Sequence, residues 1–148
     1  MKRIIGCGNL LLKDEGIGVH LIEYLKLKDL PEDIELVDGA TAGFDLLPFF
    51  QDAQKIVIVD AIRAEGPPGS VYKFTPDDFS IDTALKASLH DITLDEVFKI
   101  AAKLGKLPPI TIFGVQPKDI TWGMELSQDL KKLLPELGDL VIEEIKNA

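Results

Sequence analysis

The sequence predicts an α/β fold, a three-layer α/β/α sandwich around a mostly parallel, twisted sheet of about five strands. Two observations predict it. Apolar segments of strand length alternate with segments of helical periodicity along the chain. Residues 55–61 also contain a continuous β-branched run, Ile-Val-Ile-Val, which is typical of a central strand covered on both faces. At 148 residues, the chain has the length of one domain, spanning 1–148.

Each element is predicted from a local pattern of apolar, breaker and capping residues. In chain order, the predicted elements are a strand at 2–5, a helix capped by Asp14 and ending near Lys28, a strand at 34–37, a short helix with Pro48 in or near its first turn, the central strand at 55–61, an antiparallel edge strand at 71–74, a helix ended by Gly105, a strand at 110–115, a short helix capped by Ser127 and a final helix begun by Pro135. Residues 75–91 are expected to be mostly loop, with a turn of helix near 82–87.

Apolar stripes with helical spacing predict which helix faces are buried. A capping box at 93–96 also predicts the start of the third helix. The predicted inward residues are Ile17, Leu21 and Leu25 in the first helix, Leu94, Val97, Ala101 and Leu104 in the third, and Val141, Ile142 and Ile145 in the last.

Composition restricts the classes of partner. A formal charge of −9 argues against nucleic acid and suits a basic peptide or a metal cation. No apolar run reaches the roughly 18 residues of a membrane span, and the first apolar segment is too short for a signal peptide, so we expect a cytoplasmic protein that does not enter membranes. The single cysteine, Cys7, excludes an internal disulfide and a cysteine-based zinc cluster.

The opening glycine turn invites a comparison with nucleotide-binding loops. A dinucleotide fingerprint needs a third glycine where this chain has Leu11, and a P-loop needs Gly-Lys-Ser/Thr, which is absent. No phosphate cradle is therefore indicated, and a nucleotide-binding domain is kept only as an alternative.

Three chemically capable side chains, those of Glu15, Asp60 and His90, stand on loops or strand ends. An alternating βα order brings such positions to the carboxyl edge of the sheet, where open α/β sheets bind ligands. Two carboxylates and an imidazole could bind a divalent metal such as Zn or Ni. Structural roles stay open, however: Asp60 as a helix cap, His90 as a loop residue, and Asp38 as a brace of its own glycine-rich loop rather than a fourth member.

Three other residues have simpler interpretations. We expect His20 to be a half-exposed helix residue and not a ligand. Cys7, flanked by glycines, is expected to fill a tight space and not to act as a nucleophile. Trp122 is either a core plug or a surface anchor for a partner, and the sequence leaves both open.

Six short motifs in order carry a resemblance to a known family. They are Gly6-x-Gly8-Asn9, Asp14-Glu15-Gly16-x-Gly18, Asp38-Gly39-x-Thr41-x-Gly43, Val59-Asp60-Ala61, Ser88-x-His90, and Gly114-x-Gln116-Pro117 with Trp122-Gly123 and Leu126-Ser127. The chain resembles the nickel-iron hydrogenase maturation endopeptidases over nearly its whole length. The resemblance implies a cytoplasmic, monomeric protease that removes the C-terminal extension of the hydrogenase large-subunit precursor after nickel insertion.

Carried over position by position, the resemblance implies metal contacts at Glu15, Asp60 and His90 and an important acidic residue at Asp38. Two mechanisms stay open. The metal activates the attacking water, or nickel belongs to the substrate and aligns it while Asp38 or Asp60 acts as the base. In the second case nickel is brought by the precursor, and Zn or Cd could occupy the site in vitro. The alternative function is a non-catalytic nickel-binding maturation chaperone.

Overall fold

The computed structural model describes residues 1–40, 43–80, 94–105 and 107–147. Within these ranges the strands are β1 (Lys2–Cys7), β2 (Ile34–Ala40), β3 (Lys55–Ala61), β4 (Val71–Phe74) and β5 (Ile110–Val115). The α-helices are α1 (Ile17–Leu25), α2 (Leu47–Phe50), α3 (Leu94–Lys103) and α4 (Gln128–Lys146). Short 3-10 helices cover Lys13–Gly16, Phe44–Leu46 and Pro76–Ser80.

The strands form one sheet in the order β2-β1-β3-β5-β4. The first four in this order pair in parallel, and β4 pairs with β5 in the antiparallel sense. The prediction of a mostly parallel sheet with the β-branched strand at its centre and an antiparallel edge strand is confirmed. The parallel strands all end at the same edge, called here the carboxyl edge.

Helices cover both faces of the sheet, so the predicted three-layer sandwich is confirmed. Neighbouring residues of one strand belong to opposite faces, as the two-residue repeat of a strand requires. Ile56 and Ile58 pack with α2 and α3, whereas Val57 and Val59 pack with α1 and α4. Among the described helices, none is both long and apolar enough to cross a bilayer.

The predicted break before the last helix is wrong, because α4 is one helix of 19 residues with Pro135 inside it. Proline in a helix interior removes a hydrogen bond and costs roughly 3 kcal/mol. The apolar stripe of α4 is fully buried on the sheet at Leu130, Leu137, Val141 and Ile145. Burial of such side chains is worth about 1.5–3 kcal/mol each, which is enough to keep the helix continuous.

Other differences concern element ends. Helix α1 ends at Leu25 rather than near Lys28, with its three predicted inward residues fully buried. Strand β2 extends to Ala40, so Asp38 lies within the strand. In α3, Val97 and Ala101 are buried as predicted, but Leu104 is 69% exposed because the helix has already ended. The helical turn predicted near 82–87 and Thr93 of the capping box lie outside the described residues.

The amino edge of the sheet is fastened to α4 by the carboxylate of Glu144. It pairs with Lys55 Nζ at 2.6 Å and Lys73 Nζ at 2.6 Å, and it accepts a hydrogen bond from Thr111 Oγ1 at 3.1 Å. Burial raises the pKa of Glu144, but these three donors outweigh it and lower the pKa to about 2. Glu144 is therefore charged in the folded protein at neutral pH.

Candidate active site at the carboxyl edge

Asp60 lies near the carboxyl end of the central strand β3 and is fully buried. Its Oδ1 accepts a hydrogen bond from the backbone N–H of Ala61 at 2.8 Å. The strand alternation places its side chain on the face of Ile56 and Ile58. The next element along the chain is the strand β4. Asp60 therefore caps no helix, and that structural interpretation is wrong.

Glu15 reaches the same edge from the 3-10 helix Lys13–Gly16, which packs against β3. Its side chain is half-buried. The turn before it requires glycine, because Gly8 has φ +134° and a Cβ there would collide with the carbonyl oxygen of Glu15. The glycine turn of the sequence thus sets the position of Glu15 against the strand that carries Asp60.

The start of α1 is held equally close to the sheet. A Cβ on Gly18 would overlap the carbonyl oxygens of Val59 and Cys7. Only glycine allows this approach, so the helix backbone lies directly on the ends of β1 and β3. The spacing Glu15-x-x-Gly18 therefore has a steric cause, and it anchors Glu15 beside β3.

Asp38 lies on the other side of β1. In the sheet register Gly6 pairs with both Asp38 of β2 and Val59 of β3, so one strand separates the two aspartates. At about 4.8 Å between neighbouring strands, their backbones are roughly 10 Å apart. Asp38 is exposed, and its Oδ1 accepts a hydrogen bond from Ala40 N–H at 3.0 Å.

The face on which Asp38 lies follows from its neighbours in β2. Val37 packs with the α2 and α3 side of the sheet, and a Cβ on Gly39 would meet Ile5 and Cys7 on that same side. Asp38, between them, therefore points to the opposite face from Asp60. This geometry, with its Ala40 hydrogen bond, agrees with a brace of the loop that follows.

Cys7 lies between these carboxylates and is 2% exposed. Burial raises the pKa of its thiol well above the usual value, and the charges of Asp60 and Asp38 raise that pKa further. A neutral, buried thiol is a poor nucleophile, so the expectation that Cys7 fills a tight space is confirmed. The sheet register places both aspartates near the end of β1, because Gly6 pairs with Asp38 and with Val59, the residue before Asp60.

Asp14 has a role that the sequence did not predict. It does not cap α1, whose N-cap is Gly16 without a side-chain cap. Its fully buried carboxylate accepts hydrogen bonds from Ser127 N at 2.7 Å, Ser127 Oγ at 2.8 Å, Lys118 N at 2.9 Å and Asp119 N at 3.0 Å. Asp14 thus ties the segment before Glu15 to the loop between β5 and α4. Ser127 is the N-cap residue of α4, as predicted, but its hydroxyl donates to Asp14 and makes no capping bond to the helix.

The burial of His20 and Trp122 decides between their alternative interpretations. His20 is partly buried on α1, and burial lowers its pKa more than a backbone hydrogen bond at Met124 raises it. It is a half-exposed helix residue, as expected. Trp122 is 78% exposed, so the core-plug alternative is wrong.

The predicted metal ligands are only partly described, because His90 lies outside the described residues. Within the described ranges, the structure contains no group of three or more His, Cys, Asp or Glu side chains placed to hold a metal ion. Glu15 and Asp60 supply oxygen donors, which suit a divalent cation that arrives with ligands of its own. The three-residue set Glu15, Asp60 and His90 stays a prediction.

Comparisons with known proteins identify the class of protein. The family model described as hydrogenase maturation protease matches residues 19–144. The chain is 30% identical over 148 residues to the hydrogenase expression/formation protein HupD of Rhizobium leguminosarum bv. viciae, covering 97% of this chain and 73% of that protein. It is also 34% identical over 120 residues to the HupD of Rhodobacter capsulatus. This match covers 79% of this chain and 57% of that protein.

A solved structure with the same fold is the hydrogenase maturating endopeptidase HybD from Escherichia coli. It matches with a TM-score of 0.88 at 28% identity, covering 98% of this chain and 91% of that one. The family model and this solved structure both describe peptidases. The chain belongs to the hydrogenase maturation protease family.

Proposed function

We propose that this protein is an endopeptidase that removes the C-terminal extension of a nickel-iron hydrogenase large-subunit precursor after nickel has been inserted. Family membership supports the peptidase class. One structural observation carries the site: Asp60, fully buried at the end of the central strand, lies on the strand against which the Glu15 helix packs. A rigid strand end and a glycine-fixed turn hold two carboxylates where open α/β sheets bind ligands.

Nickel enters this proposal as part of the substrate. Glu15 and Asp60, with His90, contact the nickel that the precursor carries and thereby align the bond to be cut. The donor chemistry supports this, since two carboxylates and an imidazole complement a divalent cation that already has ligands. A precursor without nickel lacks this contact, and displacement of the scissile bond by about 1 Å can cost on the order of 10²-fold in rate.

Hydrolysis also needs a base for the attacking water. A carboxylate, Asp60 or Asp38, accepts a proton from the water while the water oxygen bonds to the scissile carbonyl carbon. The carbon–nitrogen bond then breaks, and the proton passes to the leaving amine nitrogen. Asp60 is the more constrained candidate because it is buried within β3, whereas Asp38 is exposed and faces the other side of the sheet.

The direct test is a mass spectrum of the large-subunit precursor from the same organism before and after incubation with this protein. We expect the nickel-loaded precursor to lose its C-terminal extension and the nickel-free precursor to stay intact at equal concentration. Efficient cleavage of nickel-free precursor in a chelator would refute the nickel requirement and leave the protease assignment standing. No mass loss from either precursor would contradict the protease itself.

Asp60→Asn should abolish processing with little loss of fold, because the substitution keeps the size of the side chain and removes its charge. The matched control is Asp139→Asn, on the exposed face of α4. Asp38→Asn separates the two candidate bases. A normal rate in Asp60→Asn would show that Asp60 is structural.

The metal contact has its own test in His90→Ala. A titration of the purified protein with Ni, Zn or Cd should give weaker binding in this variant than in wild type, because one donor is lost. Equal affinities would remove His90 from the proposed contact set.

A nickel-binding chaperone with the same residues is the second candidate, favoured only by the donor chemistry of Glu15 and Asp60. It predicts nickel binding without mass loss of the precursor. A nucleotide-binding domain would instead be stabilised by ATP, NAD or S-adenosylmethionine in a melting experiment.

We further propose that the protease acts in the cytoplasm as a monomer.

A further inference from the structure

An exposed apolar patch lies beside the candidate site. Its members are Leu11, 50% exposed, Trp122, 78% exposed, and Met124, 58% exposed; we call it the Trp122 patch. The two segments that carry it run side by side. Gly123 N–H donates to the Leu11 carbonyl at 2.9 Å, and Lys13 N–H donates to the Gly123 carbonyl at 2.8 Å. The patch is therefore a joint surface of the loop before Glu15 and the loop before α4.

The loop that presents the patch is held firmly. Asp14 accepts four hydrogen bonds from it, and Asp14 N–H donates to the Asp119 carbonyl at 3.0 Å. Lys13 Nζ forms an ion pair with Asp119 Oδ2 at 3.0 Å. Large apolar side chains on a fixed backbone bind a partner without the cost of ordering the loop, which favours their use as interface anchors.

The position of the patch identifies its occupant. Lys13, which is hydrogen-bonded to the patch loop, begins the 3-10 helix that contains Glu15. A protein substrate whose scissile bond reaches Glu15 and Asp60 must also cover the adjoining surface. The patch is thus continuous with the proposed catalytic edge, and this inference rests on the proposed function.

Charge argues against a second copy of the chain as the occupant. Each copy carries a formal charge of −9, so two copies would repel each other. Beside the patch, Lys13 and Lys118 are already paired with Asp119 and Asp129. The unbalanced negative charge of the chain attracts basic groups. It therefore favours a basic partner that also offers apolar side chains.

We propose that the Trp122 patch docks the hydrogenase large-subunit precursor, by taking an apolar side chain of the precursor close to the bond that is cut. The patch thereby contributes to substrate binding and not to the chemical step. Substitutions in it should raise KM while kcat is preserved.

Because Trp122 is the only tryptophan of the chain, one spectroscopic signal reports on the patch. Protein labelled with 5-fluorotryptophan should give a single ¹⁹F resonance for the folded state. We expect this resonance to shift and broaden when unlabelled nickel-loaded precursor is added. An unchanged resonance under conditions where the precursor is cleaved would overturn the docking proposal. A shift that appears on concentrating the protein alone would assign the patch to a second copy and would also overturn it.

Kinetics supply the second measurement. Trp122→Ala should raise KM about 10- to 100-fold, and Met124→Ala less, with unchanged kcat and unchanged unfolding midpoint, because anchors of this kind dominate binding and both side chains are exposed. Leu104→Ala is the matched control, since Leu104 is 69% exposed at the end of α3. A KM in Trp122→Ala equal to that of the control would refute the proposal.

The two proposals fail in different ways. If wild-type protein shifts its ¹⁹F resonance with precursor but produces no mass loss, docking is supported and the protease assignment fails. If cleavage proceeds while the resonance and KM of the variants do not change, the protease assignment stands and docking fails.

Discussion

Replacing Asp14 with alanine should detach the loop between β5 and α4 from the site. The change removes the acceptor of four hydrogen bonds, two from Ser127 and one each from Lys118 and Asp119. All four donors belong to the loop or to the start of α4. The perturbation is therefore local in origin, although Asp14 itself is fully buried.

The size of the effect follows from the exposure of the donors. A hydrogen bond to a charged group is worth about 1.5–3 kcal/mol when it is deleted. Lys118 is exposed and Asp119 half-buried, so water can replace the carboxylate for their N–H groups. The two bonds from Ser127 are the harder ones to replace. For these two bonds we therefore expect a loss of about 3–6 kcal/mol, a large part of the 5–15 kcal/mol typical of a domain.

Urea unfolding followed by two probes tests this. Trp122 fluorescence reports on the loop, and far-UV circular dichroism reports on the helices and the sheet. In wild type the two transitions should coincide. In Asp14→Ala the fluorescence transition should move to lower urea than the dichroism transition, because the loop is released before the sheet unfolds.

The control is Asp129→Ala, which removes an ion pair with Lys118 between side chains that are 41% and 55% exposed. Such exposed pairs contribute about 0–1 kcal/mol. Coincident transitions in Asp14→Ala, with a loss no larger than that of Asp129→Ala, would refute the assignment of Asp14 as the tie between the two loops.

Two further predictions concern α4. The folded-state pKa of Glu144, about 2, lies below its ordinary value of 4.5, so its contribution is present above pH 4.5 and is lost as pH falls towards 2. Wild type should therefore lose about 2–3 kcal/mol relative to Glu144→Gln between pH 5 and pH 2 in urea titrations, and parallel pH profiles would contradict the ion-pair role. Pro135→Ala should stabilise the protein by about 1–2 kcal/mol, because alanine restores a helix hydrogen bond at an exposed position. A lower thermal midpoint in this variant would show that the proline is favourable there.

Local periodicity in the sequence was sufficient to predict the strands of the sheet and the buried face of the long helices. The Ile-Val-Ile-Val run of β3 is buried on both sides, and the stripe of Ile17, Leu21 and Leu25 is fully buried in α1. These features need only the two-residue and 3.6-residue repeats, which neighbouring residues determine. Asp60 and Glu15 could be nominated in the same way, because the end of a parallel strand identifies the binding edge before any contact is known.

The roles of Asp14, Pro135, Asp38 and Trp122 depended on residues far away in the chain. The donors to Asp14 are more than 100 positions distant, so its local pattern predicted a helix cap where the fold uses it as a tie between loops. Pro135 predicts a helix start by its own geometry, and only packing against the sheet keeps α4 continuous. Strand alternation places Asp38 and Asp60 on opposite faces of the sheet. Trp122 lies next to Gly123, which is hydrogen-bonded to Leu11, and its side chain is exposed there. Long-range contacts have free energies comparable with local propensities, and they decide an outcome wherever the local preference is weak or is opposed by burial.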